Sequence, residues 1–154
     1  MYTPAVMICR PIYPDAPPAN VIKLLESARN SIEIYGWCQH LGVDQHNRRC
    51  MIGALEIEFR ALYPSYHVPA TKETYAVYVH ARDCLAHVVG CEVTTWNDRP
   101  ERTLDQVFMA FNLAIRMETT RLHQQQDAEM AQIRDHRREK NHVATLQDTV
   151  PVVA

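Results

Sequence analysis

Glycine is scarce in this chain, with four in 154 residues, where average usage of about 7% would give roughly eleven. A fold built of many tight turns needs residues free to take positive φ, and that supply is missing. No two of the four stand at the spacing of a phosphate-binding or dinucleotide-binding loop. Long apolar runs are lacking too, and none approaches the roughly 20 residues of a membrane span, so no membrane partner is expected. Neither sign of charge dominates. Lys+Arg 16 against Asp+Glu 18 gives a net charge of −2, which exerts no general pull on nucleic acid. The basic run His136–Lys140 follows Asp127, Glu129 and Asp135 and reads as a solvated face rather than a nucleic-acid site. Met1–Arg10 has no basic start and only Ala5–Ile8 as an apolar stretch, so no secretory leader is read there. Five scattered cysteines, an odd number, fit reduced thiols and a cytoplasmic location.

What is present suits a helical domain. Hydrophobic residues make up 47% and charged residues 22%, enough for one core of ordinary size. Five prolines from Pro4 to Pro18 mark residues 1–19 as an irregular arm. A first helix is expected after Asn20 as N-cap, with Val21, Leu24, Leu25, Ala28, Ile32 and Tyr35 at helical spacing and Gly36 ending it. A second spans about 50–63 and stops at Pro64. A third covers about 72–89, ended by Gly90. Its apolar residues lie on nearly all sides, so it should be the buried, central helix. Thr103 and Gln106 form a capping box for a fourth, whose apolar face runs from Leu104 to Leu122. Residues 37–49 and 91–103 read as loops, with Val93–Trp96 as a brief extended piece. After Leu122 the helix formers continue but the sequence turns polar, with Met130 and Ile133 among few apolar residues. The expected fold is therefore all-α. It is a four-helix single domain over 20–122 with a buried third helix and a long C-terminal helix, followed by a polar helical extension and tail over 123–154. The β-prone stretches 5–9 and 149–153 allow a minor two-stranded pairing of the termini.

Three short signatures fall at loops and helix starts: Gly36-Trp37-Cys38-Gln39, Cys50-x-x-Gly53-Ala54-Leu55 and Trp96-Asn97-Asp98. Together they resemble an uncharacterised family of small proteins from actinobacteria and their phages, over about residues 20–122. The resemblance implies a bacterial or phage cytoplasmic setting and transfers no activity, cofactor or catalytic residue. Physically, Trp37 and Trp96 suit the core edge at helix ends. Gly53 inside a helix implies a close helix–helix contact. Asn97 and Asp98 are turn or capping residues.

His80, Cys84, His87 and Cys91 form one stripe on the third helix, but His80 and Cys91 lie roughly 16 Å apart along it. A single ion can use only an adjacent pair, such as Cys84 with His87, completed from Cys38, His40 or Cys50 in the loops. The other chemical candidate is a thiol enzyme. Cys50 opens the second helix, where the helix N-terminus favours a thiolate. His87, His40, His46 or His80 would be the base, and Asn97 or Asp98 the orienting group. Paired Cys-x-x-Cys spacing is absent, and buried cysteine is ordinary core filling. The favoured reading has no cofactor and no catalytic residue. It is an interaction protein that binds a protein partner or itself, through Trp37, Trp96, Asn97, Asp98, Met130 and Ile133. The alternative is a small Cys/His enzyme or metal-binding domain centred on Cys50.

Overall fold

The computed structural model describes residues 16–64 and 71–148. Of these, 77% are helical and none forms a strand. The helices in chain order are α1 (Pro18–Tyr35), α2 (Met51–Leu62), α3 (Lys72–Val89), α4 (Val93–Asn97) and α5 (Leu104–Asp148). The expected pairing of 5–9 with 149–153 lies outside the described residues. None of these helices is long and apolar enough to cross a membrane.

Each helix end has a local cause. Pro18 sits in the first turn of α1, where its fixed φ and missing N–H cost nothing. The helix therefore starts ahead of Asn20, the expected cap. Cys50 caps α2 through its sulfur, which accepts from the Gly53 N–H. Thr71 caps α3, and Gly90 ends it in the left-handed conformation at φ 78°. The stretch expected to be extended is instead the short α4. The Glu92 carboxylate accepts from the N–H groups of Thr94 and Thr95, so two orphan donors are satisfied before the helix has a second turn. The capping box of α5 forms in both directions, Gln106 N to Thr103 Oγ1 at 3.3 Å and Thr103 N to Gln106 Oε1 at 3.1 Å.

The chain divides into two units, Met1–Thr119 and Thr120–Ala154. In the first, α1 packs on both α2 and α3. Val21, Leu24, Leu25, Ala28 and Ile32 of α1 are buried with Met51, Ala54 and Leu55, with Val77, Ala81 and Leu85, and with Val107, Phe111 and Ala114. Each large side chain in that set contributes about 1.5–3 kcal/mol by leaving water. Four consecutive residues of α3, Ala76–Val79, are buried. The near-continuous apolar surface of that helix is used over its first half, while Asp83 and His87 face solvent.

Gly53 does mark a close approach, but to a loop rather than a helix. A Cβ there would overlap the carbonyl of Gly42. Gly53→Ala should therefore destabilise the protein by about 1–3 kcal/mol, although alanine is the better helix former. At Gly90 an added Cβ meets no atom within 4 Å and only the positive φ opposes it. Gly90→Ala should then cost about 1 kcal/mol. Denaturant unfolding of the two variants checks both the sign and the order.

Candidate functional site

The last residue of α4 joins all three sequence signatures. Asn97 is 1% exposed, and its carboxamide uses both faces. Its oxygen accepts from Trp37 Nε1 at 2.8 Å and from the Met51 N–H at 3.3 Å. Its nitrogen donates to the Cys38 carbonyl at 3.3 Å and to Asp98 Oδ1 at 2.8 Å. Those are the four bonds a carboxamide can make. Gln39 adds a clasp by donating to the carbonyls of Asn97 and Arg99, both at 2.8 Å. The His40 N–H donates to Asp98 Oδ1 at 2.9 Å.

The loop between α1 and α2 is ordered by its own backbone. Arg49 N donates to Gly36 O, Cys38 N to Arg49 O and Cys50 N to Gly42 O, at 2.9, 3.2 and 3.0 Å. Asp44 closes the turn inside it, accepting from the N–H groups of His46 and Arg48 and from Arg48 Nε. Burial raises the Asp44 carboxyl, but the bonds from Arg48 and His46 together with the Arg48 charge outweigh it and hold it below the usual carboxylate value.

Of the residues expected to face a partner, Asn97 is interior, and its polarity serves the fold. Trp37 is half-buried with its N–H committed. Trp96 is half-buried beneath the Arg102 guanidinium, 3.6 Å from the ring centroid. Asp98 is partly exposed, 3.8 Å from His40 Nδ1. Met130 and Ile133 are 51% and 53% exposed. From residue 123 to residue 146 every side chain except Ala131 is exposed.

The thiol reading meets a physical obstacle. His40, Cys50, Glu56 and Asp98 do line one cleft, of about 190 Å³, smaller than the roughly 300–1,000 Å³ of ordinary ligand sites. Burial, however, pushes the Cys50 thiol above its usual value despite the Gly53 and Ile52 N–H groups, and the carboxylates of Asp98 and Glu56 push the same way. The Cys38 thiol is also raised, by burial first and then by Cys50 and Asp44. Cys50 thus serves as a helix cap, in surroundings that disfavour the thiolate expected from its place at a helix start. His87, the base paired with it by expectation, is exposed on α3.

The ligand set Cys38, Cys50, Cys84 and His87 is not gathered either. Among the described residues, the three-ligand cluster is His80, Cys84 and Glu118. Sequence reasoning missed Glu118, yet it stands at i+11 from Val107 on the stripe of Val107, Phe111 and Ala114, all buried. A carboxylate on an apolar stripe was the available signal. It also missed Arg49, a buried loop residue that no helical pattern flags. The Arg49 guanidinium lies 4.0 Å from the Tyr35 ring centroid. It donates to Ser31 Oγ and, at 3.0 Å, to Glu58 Oε1.

The network around Asn97 lies inside the span 16–117, over which the chain matches a family of unknown function (DUF6197). The chain belongs to that family. No curated protein and no solved structure matches it.

Two outcomes follow from this geometry. Asn97→Ala strands the Trp37 and Met51 donors and the Cys38 carbonyl in the interior. Since each such group costs about 1–3 kcal/mol, denaturant unfolding should show a loss of at least about 2 kcal/mol. In alkylation followed by peptide mass analysis, half-exposed Cys91 should label ahead of buried Cys38, Cys50 and Cys84. Labelling of Cys38 and Cys50 should rise only at a pH above that of an ordinary free thiol, because their deprotonated forms are the disfavoured ones.

Proposed function

We propose that this protein is a non-enzymatic interaction protein that acts by self-association through residues 120–148. The observation that supports this is the C-terminal part of α5, helical yet with every side chain from residue 123 to residue 146 exposed except Ala131. A helix in water draws most of its stability from packing one face, and this segment has no core of its own. At 100° per residue, Gln126, Glu129, Ile133, His136, Lys140 and Val143 share one arc of roughly 100°. The charges along it are unevenly placed. Residues 120–133 carry one base (Arg121) and two acids (Asp127, Glu129), whereas residues 134–146 carry four bases and two acids.

A second copy fits that polarity when it lies antiparallel. With Ile133 opposite His136 of the other copy, Glu129 faces Lys140, Gln126 faces Val143, and two-fold symmetry repeats each pair. Met130 flanks the seam. The actinobacterial or phage setting and the cytoplasmic location belong to the same proposal and rest on the family resemblance and the cysteine usage.

Sedimentation of the full chain should show a dimer that weakens as salt rises. Glu129→Lys should dissociate it by setting like charges against each other. The double swap Glu129→Lys with Lys140→Glu should restore it. A chain ending at Leu122 should unfold within a few degrees of the intact one and remain monomeric. A monomeric full chain, or a dimer indifferent to Glu129→Lys, would reject self-association through this face. A different protein captured on it would then be the reading to pursue.

A further inference from the structure

Glu118 is 3% exposed, and one of its oxygens is met from two sides. His80 Nε2 lies 3.0 Å from Glu118 Oε1, and Cys84 Sγ donates to the same atom at 3.1 Å. His80 and Cys84 are four residues apart on α3, which places both side chains on one helix face a single turn apart. Glu118 comes from α5, so the three groups bind two helices of the first unit to each other.

We propose that His80, Cys84 and Glu118 form a binding site for one zinc-class divalent ion. All three ligand atoms lie within 4.8 Å of one another. A tetrahedral ion with bonds of about 2.0–2.3 Å sets its ligands roughly 3.5 Å apart, so the two contacts to Glu118, at 3.0 and 3.1 Å, need open by only a few tenths of an ångström. The donor set is one imidazole nitrogen, one thiolate and one carboxylate oxygen. That suits zinc or cobalt, and it disfavours calcium and magnesium, which take oxygen ligands. Three protein ligands leave a fourth position. The His80 side chain, 25% exposed, marks the side from which water reaches it.

The proton balance is simple. With Glu118 ionised and His80 neutral, the Cys84 thiol and the His80 Nε2–H both donate to the Glu118 carboxylate in the metal-free chain. On binding, the thiol proton passes to solvent and His80 takes its Nδ1–H form. Sγ, Nε2 and a carboxylate oxygen then become ligands, and one proton is released per ion.

The test uses the full chain, reduced without added thiols, stripped of metal and titrated with Co²⁺. One equivalent should bring up thiolate-to-cobalt charge-transfer absorption with the visible bands of a four-coordinate ion, and Zn²⁺ should bleach both. Cys84→Ser should abolish the charge-transfer band. It should weaken Zn²⁺ binding by more than the roughly 10–100-fold that loss of an outer partner costs a metal site. Cys9→Ser, Cys38→Ser, Cys50→Ser and Cys91→Ser should each keep the band. If Cys84→Ser does not fold, Glu118→Gln and His80→Asn read on the same band take its place, and each should weaken binding. The site is refuted if the intact chain shows no charge-transfer band at one equivalent. It is refuted equally if the band survives loss of Cys84, or survives both Glu118→Gln and His80→Asn, or is lost with another cysteine.

Discussion

The Asn97 carboxamide is the contact on which the first unit depends. A polar group with almost no exposure is tolerated only if every donor and acceptor finds a partner, and Asn97 reaches all of them at once. Its partners come from the loop after α1, from the first residue of α2 and from its own neighbour Asp98. The position of each segment is therefore defined relative to the other two. The close approach of Gly42 to Gly53 belongs to the same arrangement, since it brings the loop backbone onto the start of α2. An apolar residue in place of Asn97 would leave these segments without a common reference.

Two more buried polar clusters each join elements distant in sequence. Arg49 links the loop to Ser31 and Tyr35 of α1 and to Glu58 of α2. Glu118 links α5 to His80 and Cys84 of α3. Burying a charge is costly unless it is paired, so such groups favour one arrangement of helices over near alternatives more than they add stability. Hydrophobic contacts among Leu24, Leu55, Leu85 and Phe111 provide the cohesion, and the three polar clusters provide the register.

The two units use helix in opposite ways. Up to Thr119, helical structure carries apolar residues to a shared interior. From residue 123 to residue 146 the helix instead displays mostly charged and polar side chains to solvent. A helix of the second kind gains little from folding by itself.

Periodicity determined most of the architecture. The limits of α3, the capping box of α5, the end of α1 at Gly36 and the change of character after Leu122 all follow from local rules that act within a few residues. The same rules misplaced the start of α1, because Pro18 is as good a first residue as Asn20 is a cap. They also missed α4, because a five-residue helix has no period to read and rests on one carboxylate, Glu92. Only the tertiary structure decided the chemistry of the polar residues. Whether Cys50 is a thiolate depends on how deeply α2 is buried, and burial outweighs its helix N-terminus. Whether Cys84 has a ligand partner depends on Glu118, 34 residues away, brought to it by the packing of α5 on α3. Hydrogen bonding and desolvation respond to distances of a few ångströms, and along the chain those distances do not exist until the helices have packed.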